Sequence, residues 1–483
     1  MSFSNTVVKS LVWSSFEKLS VQIIQFIIGI ILARLLTPSE YGIIGILLVF
    51  IAFMQVFIDS GFSKALIQTQ GRTEIDYSTV FFINGIISVV CYVLLWLGAP
   101  LIADFYNNLD LINYMRIIGL VLFFSALFVI PNTILTIHLD FKILAKINFA
   151  GNLLSGIIAI FMAYYGYGVW SLIWQQIIRA VLLVLLSWVF VRWMPLFGFS
   201  KESFKRLFDF GSKLLYASLL GMIVNNFTNL FIAKLSSTKD LGYYTRGTQF
   251  TDVVYGTTSS VLDSVLLPVF SRSQNDLPLL VSYFKTFIRS VALLIVPIFF
   301  LLAFMSKSLV LLLLTEKWLP VVPIMQIFCF ARLITIIAGL NITVLYAIGR
   351  SDLVLKQQVI KIIIRIVFLA LALKFGIIYI AIAELLSTIV HFFINTYYPG
   401  KIMKISAGIQ LKEIMPIVLA GGIMMIAVWG ANYFVPNDLW MIQLVITSIV
   451  GIISYVWMIK MLKVEEYQFL WSKVKELVKR NLE

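Results

Sequence analysis

Long apolar runs follow one another along almost the whole chain, and they constrain its fold more than any other feature. A helix rises about 1.5 Å per residue, so each run can cross the roughly 30 Å hydrocarbon core of a bilayer. We therefore predict an all-α polytopic membrane protein with about fourteen transmembrane helices. Their predicted positions are 11–36, 42–63, 79–103, 112–137, 147–165, 167–193, 208–235, 241–268, 283–305, 321–347, 354–375, 377–398, 413–434 and 438–462.

The charge distribution agrees with a membrane location. Charged residues make up 12% of the chain, whereas soluble domains have about 25%. The formal net charge of +14 could by itself indicate nucleic acid. Most lysines and arginines, however, fall in loops on the side of the predicted helices that also holds both termini, which the positive-inside rule assigns to the cytoplasm. We expect both termini in the cytoplasm, anionic membrane lipids as partners, and no nucleic acid.

The sequence contains none of the common enzyme motifs. It has no Walker loop, Gly-rich dinucleotide motif, HExxH or CxxC. Its two cysteines, Cys91 and Cys329, lie in apolar runs, which argues against a disulfide framework or a metal cluster. We therefore expect no catalytic residues, no metal and no cofactor.

An internal repeat predicts how the helices are grouped. Residues 33–42, Ala-Arg-Leu-Leu-Thr-Pro-Ser-Glu-Tyr-Gly, resemble residues 233–242, Ala-Lys-Leu-Ser-Ser-Thr-Lys-Asp-Leu-Gly. Repeats of this kind frame many transporters. Six helices in each unit return the chain to its starting side, so the two lobes should be related by a pseudo-two-fold axis along the membrane normal. In the first repeated turn, Thr37-Pro38-Ser39-Glu40 should stop one helix and cap the next.

The predicted domains follow from this repeat. They are an N-lobe at 1–195 (helices 1–6), a cytoplasmic linker at 196–207, a C-lobe at 208–400 (helices 7–12), helices 13 and 14 at 401–462, and a cytoplasmic amphipathic tail at 463–483.

Polar residues recur at helical spacing on several of these apolar helices. Burying such residues in lipid is expensive, so we expect them to line a hydrated cavity or to bond between helices. The predicted cavity-lining, substrate-binding set is Lys18, Gln22, Gln25, Asn225, Asn229, Arg246, Gln249 and Arg332. Four intramembrane carboxylates could couple to an ion or could equally neutralise arginines: Asp59, Asp252, Asp263 and Glu384.

The types of residue in this set suit an anionic, sugar-bearing ligand. Lys18, Arg246 and Arg332 are the candidates for binding phosphate, and the Gln and Asn side chains suit sugar hydroxyls. Two further intramembrane arginines, Arg179 and Arg289, are expected near the cytoplasmic ends of their helices, where a long side chain can reach water.

Several stretches in order resemble Wzx-type polysaccharide exporters of the multidrug/oligosaccharidyl-lipid/polysaccharide superfamily. They include ARLLTPSEYG at 33–42, FIDSGFSKALIQ at 57–68, LGYYTRGTQF at 241–250 and NITVLYAIGRSD at 341–352. The resemblance covers essentially the whole chain and is strongest to colanic acid and teichuronic acid exporters. It implies a fold like that of MATE and MurJ transporters, with two six-helix lobes plus two C-terminal helices.

The resemblance also implies a function. A Wzx-type flippase moves undecaprenyl-pyrophosphate-linked oligosaccharide units from the inner to the outer leaflet of the bacterial cytoplasmic membrane, for surface polysaccharide or lipopolysaccharide biosynthesis. Glycosyltransferases and a polysaccharide polymerase of the same pathway are the implied partners. The alternatives are a cation-coupled multidrug exporter or a lipid II flippase of the same superfamily, or, from a different class, a membrane glycan polymerase.

Overall fold

The computed structural model describes residues 20–59, 61–69, 71–436, 439–462, 464 and 467. Within them every regular element is helical. In chain order, with a short 3-10 turn at Glu316–Trp318 between α11 and α12, the helices are α1 Ser20–Leu35 (the described part of the first helix), α2 Pro38–Asp59, α3 Phe62–Gln68, α4 Glu74–Phe105, α5 Asp110–Ile118, α6 Val121–Ile137, α7 Phe141–Tyr164, α8 Val169–Val191, α9 Lys201–Leu235, α10 Thr238–Arg272, α11 Leu277–Leu313, α12 Val321–Ala347, α13 Ser351–Ala372, α14 Ile377–Met403, α15 Ala407–Tyr433 and α16 Trp440–Met461.

These helices confirm the predicted all-α, multi-pass fold. Each of the predicted spans has a helix at its place, and in the described residues 12 are long and apolar enough to cross a membrane. Two predicted spans are outside that set. The described part of α1 is short, and α13 carries four charged residues. The predicted tail lies outside the described residues apart from 464 and 467.

The separation of α7 from α8 depends on two glycines. Gly166 and Gly168 have φ angles of 83° and 54°, in the region that side-chain-bearing residues rarely adopt. The helix therefore stops at Tyr164 and the next begins at Val169.

The helix that follows the predicted linker begins earlier than expected. It starts at Lys201 because the Ser200 hydroxyl accepts a hydrogen bond of 3.2 Å from the Ser203 amide, which caps the first turn. Residues 201–207, assigned to the linker from sequence, are helical. The wider division into lobes stays a prediction.

By the density of internal contacts the chain divides into two compact units, Met1–Gly242 and Tyr243–Glu483. One core of the first unit joins α3, α4, α6 and α9 through side chains such as Phe62, Leu66, Val80 and Ile130. Helix α9 also packs along α2.

The core of the second unit is larger. It runs through α11, α12, α15 and α16, where Phe299, Cys329 and Val428 are fully buried. A pair of buried amides crosses this core: Asn341 on α12 and Gln410 on α15 each donate to the other at 2.9 Å. Each amide thus donates one hydrogen bond to the other and accepts one in return, so the pair needs no water between its two groups.

The predicted cap at residues 37–40 is confirmed. The Thr37 amide donates to Glu40 Oε2 at 2.6 Å, and the Glu40 amide donates to Thr37 Oγ1 at 3.4 Å.

The first turn of α2 packs directly on the second copy of the repeated stretch. The Ser39 and Thr238 hydroxyl oxygens are 3.0 Å apart. A Cβ at Gly42 would lie 1.6 Å from the Thr238 carbonyl oxygen, and a Cβ at Gly242 would lie 1.9 Å from that of Pro38. Only glycine permits this contact on either side.

Candidate functional site

A polar seam crosses the membrane-spanning helices of the second unit, from α10 through α12 to α13 and α14. Its first part is an ion pair between Arg332 on α12 and Asp252 on α10, with Nε and Oδ1 2.6 Å apart. The Arg332 guanidinium also lies over the rings of Tyr255 at 5.1 Å and Phe328 at 5.5 Å. Both distances are within the range of cation–π attraction.

The second part of the seam is an ion pair between Arg365 on α13 and Glu384 on α14. The guanidinium reaches both carboxylate oxygens, with distances of 3.0 Å and 2.9 Å. Such a bidentate pair is the strong form of the interaction. It is less accessible than the first pair, because the Glu384 side chain is 13% exposed whereas that of Asp252 is 42% exposed.

The two ion pairs belong to one charged cluster. The hydroxyl of the buried Tyr244 lies close enough to interact electrostatically with all four charged groups, and Asp252 interacts in the same way with Glu384. We call Tyr244, Asp252, Arg332, Arg365 and Glu384 the charged cluster of the second unit. It places two positive and two negative groups together among apolar helices.

One predicted phosphate-binding residue on α10 is held by another predicted site residue. Arg246 Nη1 donates a hydrogen bond to Gln249 Oε1, one helical turn further along. Gln249 is itself one helical turn before Asp252 on α10. Arg246, Gln249, Asp252 and Arg332 are therefore brought together in one unit.

The predicted residues of the first unit form a separate set. Gln25 on α1 donates to Asn152 on α7 at 2.8 Å, so this amide joins two helices. Gln22 lies about one turn earlier on α1 and is half-buried. On α9, Asn229 is half-buried, while the side chain of Asn225 is outside what the structure describes. Lys18 lies outside the described residues.

The four carboxylates considered for ion coupling have different surroundings. Asp252 and Glu384 are paired with arginines, which corresponds to the neutralising alternative left open by the sequence. Asp59, at the end of α2, accepts a hydrogen bond of 2.5 Å from Ser63. Asp263 is exposed on α10. No group of His, Cys, Asp and Glu in the described part of the chain has the arrangement of a metal site.

Both arginines expected near helix ends lie well inside their helices, and Arg289 is twelve residues after Leu277, the first residue of α11. Arg289 forms an ion pair with Glu413, which also contacts Lys285 at 3.0 Å. Arg179 is in the middle of α8, twelve residues before its last residue, Val191. The expectation was wrong for both arginines, because each lies ten or more residues from the nearer end of its helix.

Several contributors to these networks were not identified from sequence. Asn152 is the partner of Gln25, and Tyr244 lies in the charged cluster. Periodicity on a single helix identifies one residue of such a contact. The partner residue depends on which helices become neighbours in the fold. Only the Arg365–Glu384 pair lies on consecutive helices, whose order in the sequence already suggests that they are neighbours.

Comparison with known families gives a match over most of the chain. The family model described as "Polysaccharide biosynthesis protein" matches residues 31–323. The teichuronic acid biosynthesis protein TuaB of Bacillus subtilis (strain 168) is 25% identical over 441 residues, covering 89% of this chain and 90% of its own length. The lipopolysaccharide biosynthesis protein WzxC of Escherichia coli (strain K12) is 23% identical over 368 residues, covering 75% and 74%.

Solved structures of membrane transporters share the fold. The lipid II flippase MurJ, in an inward closed conformation, superposes with a TM-score of 0.73 at 16% identity, over 94% of this chain and 100% of that one. An inward-facing multidrug resistance MATE family transporter of the MOP superfamily superposes with a TM-score of 0.59 at 16% identity, over 81% and 99%. At these identities the likeness concerns the fold.

Proposed function

Because this chain belongs to the polysaccharide biosynthesis protein family, we propose that it is a flippase for lipid-linked oligosaccharides. Its substrate is an undecaprenyl-pyrophosphate-linked repeat unit, which it moves from the inner to the outer leaflet of the bacterial cytoplasmic membrane. The observation that carries the proposal is the similarity to TuaB over 89% of the chain, together with a MurJ-like fold. The flipped units would serve surface polysaccharide or lipopolysaccharide biosynthesis.

The physical problem that such a protein solves is the transfer of a polar head group across hydrocarbon. A pyrophosphate and its sugars lose all their hydrogen bonds to water in lipid, which costs many kcal/mol. The polyprenyl tail has no such cost and stays in the bilayer. A polar path through the protein is therefore needed for the head alone, and alternating access of that path to each leaflet completes the cycle.

The charged cluster of the second unit supports a role in binding the pyrophosphate. Arg332 holds Asp252 at 2.6 Å, so its charge is neutralised when no substrate is bound. An arriving phosphate can take the place of the carboxylate, because both present oxygens that a guanidinium binds in the same way. Asp252 is the accessible carboxylate of the two, 42% exposed, which favours it as the group that is displaced.

In the same proposal the amides bind the sugars. Gln249 lies beside Arg246, and Gln22, Gln25, Asn225 and Asn229 add neutral donors and acceptors. Lys18 is a second phosphate ligand. Displacement of Asp252 leaves a carboxylate that can take up a proton, which would couple export to a proton gradient. In this proposal both termini lie in the cytoplasm, where glycosyltransferases make the substrate, and the polymerase acts after flipping.

The direct test is genetic and chemical. In a strain that depends on this protein for one surface glycan, its removal should abolish that glycan and cause lipid-linked repeat units to accumulate in the inner leaflet. Complementation with Arg332→Gln or Arg246→Gln should restore less than about a tenth of export at normal protein level. Arg350→Gln, which alters an exposed ion pair with Asp352, serves as the matched control and should export normally.

The alternatives give different outcomes in the same strain. A multidrug exporter would change drug susceptibility and leave the glycan intact. A lipid II flippase would rescue cells depleted of their own lipid II flippase. Unchanged surface glycan without accumulation of lipid-linked units, in a strain lacking redundant exporters, would contradict the proposal.

A further inference from the structure

The first unit contains a cavity of about 310 Å³ among α2, α5, α6 and α8. Four polar side chains line it: Gln55, Ser125, Gln176 and Arg179. Gln55 Nε2 donates to Ser125 Oγ at 3.3 Å. The remaining lining is aliphatic, so the polar groups are concentrated in one place.

Arg179 occupies the middle of its helix. It lies ten residues after Val169 and twelve before Val191, so roughly 15 Å of helix separate it from either end. A guanidinium keeps its proton in proteins. A fixed positive charge at this depth is costly unless a negative group accompanies it.

The protein supplies no such group among its described residues. No ion pair or hydrogen bond of the Arg179 side chain occurs within them, and its Nε atom is buried without a partner. The carboxylates of the first unit stand in turns or within nine residues of a helix end. Among the described residues they are Glu40, Asp59, Glu74, Asp76, Asp104, Asp110, Asp140, Glu202, Asp209 and Asp240.

The size and depth of the cavity limit what can supply the negative charge. Pockets for drug-sized ligands hold about 300–1,000 Å³, so this one fits a small anion and its water but not a lipid-linked oligosaccharide. A phospholipid head group would have to leave the membrane surface and descend by roughly half the bilayer thickness. A freely diffusing inorganic anion needs no such displacement.

We propose that this cavity binds one small inorganic anion, of the halide or oxoanion class, through the guanidinium of Arg179. The Gln176 amide and the Gln55–Ser125 pair supply neutral donors beside it. The anion neutralises the arginine and holds α8 against α2 and α6. This site is separate from the proposed glycan path, since its lining includes neither a residue of the charged cluster nor any of the amides or the lysine proposed to bind the glycan head.

The test uses the full-length protein purified in detergent. Its thermal unfolding midpoint is measured at constant ionic strength with chloride, nitrate or phosphate, each against gluconate as the bulky organic reference anion. In the native protein the midpoint should rise and saturate with at least one small anion, as expected for a ligand that binds only the folded state. Equilibrium dialysis with the same radiolabelled anion should give about one bound per chain.

Variants locate the site. Arg179→Gln should abolish the anion dependence, and Arg179→Lys should retain part of it. Arg192→Gln, at the exposed arginine immediately after the same helix, should behave as the native protein. If Arg179→Gln does not fold, Gln176→Leu should weaken anion binding about tenfold, equivalent to about 1.4 kcal/mol.

Three results would overturn the proposal. The first is a native protein whose midpoint is the same in gluconate and in every small anion, and the second is an unaltered anion dependence in Arg179→Gln. The third is a phospholipid that native mass spectrometry finds retained only when Arg179 is present, without an effect of inorganic anions. That would assign the site to a lipid phosphate instead.

Discussion

The hydroxyl groups of Ser39 and Thr238 lie within hydrogen-bonding distance, 3.0 Å apart, in the two copies of one repeated turn. Similarity between two stretches of sequence predicts a shared local structure. Here the two copies also contact each other, and their glycines, Gly42 and Gly242, are what allow the backbones to approach.

Substitution of Gly42 should therefore be poorly tolerated. In Gly42→Ala the added methyl group would lie 1.6 Å from the Thr238 carbonyl oxygen. This oxygen belongs to the backbone, which cannot rotate out of the way as a flexible side chain can. Overpacking of this kind costs about 1–3 kcal/mol. We expect a lower unfolding midpoint in detergent and less protein in the membrane. Gly85→Ala, where an added Cβ meets nothing within 4 Å, is the control and should be unaffected.

The Arg332–Asp252 pair should behave as a coupled unit. Either Arg332→Gln or Asp252→Asn leaves one charge without its partner, which costs about 3–5 kcal/mol for a fully buried pair. Because the Asp252 side chain is 42% exposed, we expect a smaller loss, about 1–2 kcal/mol. The double variant should be less destabilised than the sum of the singles. Additive losses in unfolding midpoint would show that the two residues act independently.

The Arg365–Glu384 pair should be the more sensitive of the two. Its carboxylate is 13% exposed, and its contact is bidentate. Glu384→Gln should thus lower the unfolding midpoint more than Asp252→Asn does. The exchange of both residues, Arg365→Glu with Glu384→Arg, should recover part of the stability. An equal effect of the two single neutralisations would contradict the difference in burial.

The amides of Asn341 and Gln410 give a further prediction. Asn341→Leu leaves the Gln410 amide buried without its main partner, and an unsatisfied buried polar group costs about 1–3 kcal/mol. The double variant, Asn341→Leu with Gln410→Leu, leaves no unsatisfied amide at either position. It should therefore be more stable than the single variant. The comparison is made on unfolding midpoints of purified protein. A double variant less stable than Asn341→Leu would argue that the amides do more than satisfy each other.

The fold could be predicted well from sequence because its main determinants are local. Apolar length fixes which segments can span a membrane, and each of the fourteen predicted spans is largely helical in its described residues, although the span 112–137 is divided between α5 and α6. The family predicted from motifs such as ARLLTPSEYG is confirmed by the family model that matches residues 31–323.

The candidate site could be predicted only in part. Helical spacing identified Asp252, Arg332 and Glu384 as polar residues on apolar helices, because spacing is a property of one helix. It could not assign Asp252 to Arg332, since those residues meet through the packing of α10 on α12. Arg179 was misplaced although the helix itself was predicted well, since the predicted span 167–193 and the observed helix Val169–Val191 both put this residue near the middle.

Helix length has a consequence for the surface of this protein. Helix α9 has 35 residues and α11 has 37, which correspond to roughly 50–55 Å at 1.5 Å per residue. The hydrocarbon core is only about 30 Å thick, so even a strongly tilted rod of this length emerges into water. The aqueous face is then made of rigid helix ends and short turns. An antibody fragment or partner enzyme would meet a preformed surface here, with little ordering entropy lost on binding.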